Sequence, residues 1–158
     1  MRSCLFHLTA TLSLIAACRA QAGAWLGIDA YATQDYGEGP IPGDPRVPPQ
    51  YQWLEEVVGE SINELIKPGS LIHVLDAVWL NYAPRQDDIV VVERIRHDGR
   101  EIERSVKQVV MAPGGPEFWG RSTNPVWNVP LQLRSGAEGE EGVEVRIAGW
   151  VKHSINRH

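Results

Sequence analysis

The chain has 158 residues, 43% hydrophobic and 22% charged, which allows one ordinary domain with short extensions and excludes a disordered or membrane-filling chain. A net charge of −5 excludes the basic surface that phosphate binding requires, so these residues are not expected to bind DNA directly. Cys4 and Cys18 both lie near the N-terminus and the five histidines lack ligand spacing, so no disulfide framework, metal site or cofactor is expected.

Residues 1–22 carry two readings. Arg2, the apolar run that follows and the small residues of Ala20-Gln21-Ala22 match an export signal, and Ile15-Ala16-Ala17-Cys18 matches a lipoprotein signal. The run is nevertheless short for a membrane span and is interrupted by His7, Thr9, Thr11 and Ser13. The alternative is an irregular leader ahead of a cytoplasmic domain.

Residues 23–50 read as a connector. Five prolines fall between Gly37 and Pro49, and proline cannot donate to a sheet ladder, so an extended segment is expected. Residues 51–158 then supply runs rich in Val and Ile, at Leu54–Val58, Leu71–Leu75, Ile89–Ile95, Ile102–Val110 and Val143–Ile155. Asp98-Gly99 closes a hairpin between the third and fourth. The one helix candidate is a brief turn near Ser61–Leu65, stopped by Pro68. The expected fold is mainly β. The acidic run Glu138–Glu141 reads as a solvated loop, and the six tryptophans read as packing residues.

The chemistry concentrates in Gly59-Glu60-Ser61-Ile62-Asn63. A serine on a tight turn after a strand exposes its hydroxyl beside backbone N–H groups, but it needs a base to become a nucleophile. A lysine can serve if burial keeps its amine neutral. Bringing a lysine from about 10.4 to near 7 takes roughly 4–5 kcal/mol of differential desolvation. Lys107, between Val106 and Val109-Val110 in a predicted strand, is the candidate. A charge in such a run is more often outward-facing, and a Gly-x-Ser turn is more often only a turn.

Taken in order, five pieces resemble the LexA, UmuD and phage-repressor serine peptidases: Gly59–Asn63, Lys67–Gly69, Asp88–Val92, Asp98-Gly99 and Ser105–Lys107. Ser122-Thr123-Asn124-Pro125 and Val145–Val151 resemble that family's closing strands. The resemblance implies a compact β-fold like the LexA C-terminal domain, with Ser61 as nucleophile, Lys107 as base, and the turn Gly59-Glu60-Ser61 offering N–H groups to an oxyanion. It also implies a scissile Ala22-Gly23 bond, 39 positions before Ser61, cut by the chain itself. A homodimer, stimulation by a RecA–single-stranded-DNA filament, and a place in the SOS response or prophage regulation follow from the same resemblance. No helix-turn-helix precedes the connector, so operator binding is not implied for these residues.

Three features depart from the family pattern. Ile62 stands for the usual Met, Asp87 for a common Gly, and Ser61 lies 46 positions from Lys107. The extra length is expected in loops at Trp79–Gln86 and Arg96–Glu103. Two rival readings remain: a signal-peptidase-like protease anchored through residues 1–22, and an inactive repressor remnant serving as a dimerisation module.

Overall fold

The computed structural model describes residues 13–14, 16–23, 25–27, 41–133 and 142–156. Residues 1–12, Ala24, residues 28–40 and the acidic run Glu138–Glu141 lie outside them, and with them parts of the leader and connector.

The strands are β1 (Ser13–Leu14), β2 (Ala16–Ala20), β3 (Leu26–Gly27), β4 (Ile41–Pro42), β5 (Gln52–Val57), β6 (Leu71–Asp76), β7 (Ile89–Arg96), β8 (Glu101–Ala112), β9 (Gly115–Trp119), β10 (Leu131–Gln132) and β11 (Glu144–Ile155). Nine of these form one sheet in the order β10-β9-β8-β7-β11-β6-β5-β2, with β3 also paired to β8. The seven strands from β10 to β5 pair antiparallel, and β2 joins β5 in parallel. The mainly β expectation holds, and all five expected Val/Ile runs are strands, β5, β6, β7, β8 and β11.

The β7–β8 hairpin explains itself locally. Val90, Val91 and Val92 favour the pleat, and the four-residue loop places His97, Asp98 and Gly99 at positive φ, the backbone that an Asp-Gly turn tolerates. Strand pairing runs unbroken from Ile89↔Gln108 to Arg96↔Glu101. The extra length expected at Arg96–Glu103 is therefore not a loop, because cross-strand pairing carries both strands to the turn. The residues around Trp79–Gln86 do form a long irregular connection between β6 and β7.

Alternation along β7 and β8 sends side chains to two cores. Val91, Ile102 and Val106 join Trp53, Val57, Ile62, Ile66, Ile72 and Val74 in the first. Val90, Val92, Val109 and Phe118 join Val143 and Val145 in the second. Since β5 and β8 are four places apart in the sheet yet share the first core, the sheet curls over it. Each buried Val or Ile contributes about 1.5–3 kcal/mol.

The described part of the connector packs against this body. Gln52 donates from Nε2 to the carbonyls of Asp44 and Val47 and accepts the Asp44 N–H at 2.8 Å, which turns the proline-rich chain onto β5. Among the described residues, no helix is long and apolar enough to cross a membrane.

Candidate active site

Ser61 sits in the turn that leaves β5. The fold anchors this turn from three sides. Ile62 and Ile66 are buried in the first core, and the Ile66 N–H donates to the Ile62 carbonyl at 2.9 Å, giving a single helical turn where a brief one is expected. The segment 121–124 holds the outer side. The Arg121 N–H donates to the Ser61 carbonyl at 2.9 Å, and the Glu64 N–H donates to the Arg121 carbonyl. Asn63 and Thr123 bond each other through Nδ2–H to Oγ1 (2.9 Å) and through the Thr123 N–H to Oδ1 (3.0 Å). Asn124 Nδ2 donates to Glu60 Oε1 at 2.9 Å. The Gly-x-Ser-x-Asn and Ser-Thr-Asn-Pro motifs, distant in sequence, are thus one hydrogen-bonded unit.

The third side is the chain's own residues 20–23. The Val58 N–H donates to the Ala20 carbonyl at 2.9 Å, extending the β2–β5 pairing to the edge of the Ser61 turn. Among the described residues, no backbone hydrogen bond of the turn uses the N–H of Gly59, Glu60 or Ser61, so these N–H groups are available to a developing oxyanion.

Lys107 lies in β8, opposite Val90 of β7, on the face of the second core. It is 5% exposed. Burial lowers its pKa below the ordinary lysine range; the Glu103 carboxylate raises it and Arg94 lowers it again. Among the described residues Lys107 forms no ion pair, because Glu103 is engaged elsewhere. Its carboxylate meets Arg94 at 3.3 Å, and its Oε2 accepts the Gly23 N–H at 2.8 Å.

A cavity of about 530 Å³ opens here, with Lys107, Glu103, Arg94, Trp127, Ala22 and Gly23 among its lining residues. The structure therefore brings Ala22 and Gly23 to the wall that carries Lys107. Gly23 fits this place for two reasons. Its φ is +80°, and a Cβ there would stand 2.9 Å from Trp127 Cη2.

Ser61 is buried, at 6% exposure, but it is not in the cavity lining. Among the described residues no hydrogen bond joins its hydroxyl to the Lys107 amine, so the direct contact expected of a dyad is absent. Two links connect them. Arg121 bonds the Ser61 carbonyl through its backbone and Gln108, the neighbour of Lys107, through its side chain. Gly120 packs against the carbonyls of both Ser61 and Trp127, so closely that a Cβ would stand 2.2 Å from the latter.

Arg94, Glu103 and Trp127 are site residues that the sequence reading missed. A signal for the first two was present: opposite charges mirror each other about Asp98-Gly99 in Arg94↔Glu103 and Glu93↔Arg104. Nothing in the sequence places Trp127. Among the described residues, no group of His, Cys, Asp or Glu is placed to hold a metal ion. Compared with protein-family models and with curated proteins, the chain matches none.

Proposed function

We propose that this chain is a LexA-like serine peptidase that cleaves its own Ala22–Gly23 bond, with Ser61 as nucleophile and Lys107 as base. The observation that carries the reading is the path of residues 20–23, from the Ser61 turn at Val58 into the cavity of Lys107. The burial of Lys107, with no ion pair among the described residues, supports it, since only a neutral amine can accept a proton.

In this reading Lys107 takes the Ser61 hydroxyl proton as Oγ attacks the Ala22 carbonyl carbon. The N–H groups of the Gly59–Ser61 turn stabilise the tetrahedral oxyanion. The Ala22–Gly23 bond then breaks, and Lys107 returns its proton to the Gly23 nitrogen. Water attacks the resulting Ser61 ester and gives one proton to Lys107, which passes it to Ser61 Oγ as the acyl C–O bond breaks, and the Ala22 carboxylic acid loses its remaining proton to solvent. Proton transfer in this reading requires the Ser61 hydroxyl and the Lys107 amine to come within hydrogen-bonding reach of each other. A cytoplasmic site, a homodimer and stimulation by a RecA filament belong to the same proposal.

The test is intact-mass analysis of the purified chain after alkaline incubation, with and without a RecA–single-stranded-DNA filament. The wild type should yield fragments ending at Ala22 and beginning at Gly23, whereas Ser61→Ala and Lys107→Ala should stay whole. One observation favours a second reading, an inactive interaction module: the two side chains share no hydrogen bond, and Ser61 stands outside the cavity lining. An uncut wild type under every condition selects that reading.

A further inference from the structure

We propose that Trp25 is the specificity-determining anchor on the leaving-group side of the scissile bond, so that the site takes peptides of the pattern Ala-Gly-x-aromatic. The inference rests on the peptidase reading and gives its substrate class.

Three restraints hold the chain that follows Ala22. The Gly23 N–H is bound by Glu103. Residues 26–27 pair antiparallel with β8, Leu26↔Ile102 and Gly27↔Glu101. Between them, the Trp25 ring lies under two guanidinium groups, Arg96 at 3.9 Å and Arg94 at 4.9 Å from its centroid. The first and second restraints are made by main-chain groups that any residue can offer, so they fix register without reading identity. Only the third reads a side chain.

The platform is braced by partners other than the ring. Arg94 and Arg96 are two apart on β7 and so project to one face, and each is braced by a partner on β8, Arg94 by Glu103 at 3.3 Å and Arg96 by Glu101 at 2.6 Å. Two fixed cations attract the negative face of an aromatic ring, repel a lysine or arginine, and leave a small residue without contact. Trp25 also packs against the second core, which ties the anchor to the wall bearing Lys107 and Val145. Gly23 fits because of its positive φ and the nearness of Trp127, and Arg94, which lines the cavity and stacks on Trp25, joins the glycine and the aromatic two residues later in one spatial pattern.

The experiment uses the full chain. Self-cleavage rates are measured for the wild type, Trp25→Ala, Trp25→Phe and Arg96→Gln. In parallel, hydrogen exchange of residues 22–27 is followed in a Ser61→Ala background, with and without Trp25→Ala. Trp25→Ala and Arg96→Gln should slow cleavage about tenfold, and Trp25→Phe should stay within about threefold of wild type, as expected for a lost or kept cation–π contact that positions the reacting bond. Exchange in 22–27 should quicken with Trp25→Ala while β6 keeps its protection. Wild-type cleavage by Trp25→Ala, or equal losses for the Ala and Phe variants, overturns the anchor and leaves the peptidase standing. A silent wild type whose exchange still responds to Trp25→Ala overturns the peptidase reading, and the specificity role with it.

Discussion

Strand β8 buries two cations three residues apart, and their surroundings could hardly differ more. Arg104, at 2% exposure, faces the first core and is ion-paired. Its guanidinium donates to Glu55 and Glu93 and lies over the Trp53 ring, while Glu93 is shared with Arg146 at 2.8 Å. Lys107 faces the second core, where the nearest carboxylate is committed to Arg94 and to Gly23. A buried charge with matched partners is a structural element whose loss strands other charges. A buried amine without an ion pair is instead pushed toward its neutral form and becomes available as a base. The same strand thus builds one cation into the fold and leaves the other without an ion pair among the described residues.

Replacing each residue separates the two roles. Arg104→Met removes the guanidinium that pairs buried Glu55 and Glu93 and should cost about 3–5 kcal/mol, read by urea denaturation; an unchanged midpoint would erase the contrast. Buried His73 offers a calibration, since a group held neutral by its surroundings must show in acid. Burial holds its pKa at about 4, below the ordinary value of about 6.5, so the unfolded chain binds the extra proton between those limits. Stability contributed by neutral His73 is therefore full above about pH 6.5 and lost as pH falls toward 4, by about 2–3 kcal/mol. Denaturation midpoints across that window should slope for the wild type and flatten for His73→Leu.

Lys107→Met should have the opposite profile to Arg104→Met: cleavage falling at least about 100-fold, as for loss of a general base, with the fold intact. The sign follows from the lowered pKa. The folded chain binds the Lys107 proton more weakly than the unfolded chain, which costs the native state stability at neutral pH, so the methionine variant should unfold at a higher temperature at pH 7. That gain should shrink as pH rises toward the ordinary lysine range. The smallest effect expected is at Gly23. Gly23→Ala introduces about 1–3 kcal/mol of backbone strain and sets a Cβ against Trp127, read as faster hydrogen exchange in residues 20–27 with an unchanged global melting temperature.

Much of this was legible beforehand. The Val/Ile runs and Asp98-Gly99 specify β7, β8 and their register, and that register alone predicts the mirrored pairs Arg96↔Glu101, Arg94↔Glu103 and Glu93↔Arg104. Other parts were not. Gly115–Trp119 holds a proline and no clean alternation, yet it becomes β9 because Val109 and Phe118 pair across the ladder. Ala16–Ala20 has the composition of a leader and becomes an edge strand only because β5 offers it a parallel partner. The site itself depends on such long-range matches. Trp127 reaches the cavity because the Ser122 N–H and carbonyl are both bonded by the Asn128 side chain, folding the segment 122–128 into a compact loop. Local sequence does not encode which wall such a loop will meet.

The central claim is that Lys107, a buried amine without an ion pair among the described residues, gives up its proton more readily than an ordinary lysine. Side-chain NMR titration of the Lys107 Cε and Nζ signals in uncleavable Ser61→Ala protein, assigned by comparison with Lys107→Met, measures this directly. The account predicts a midpoint clearly below the ordinary lysine value of about 10.4. A midpoint at or above that value would mean an amine charged throughout the working range, and it would contradict the base assigned here.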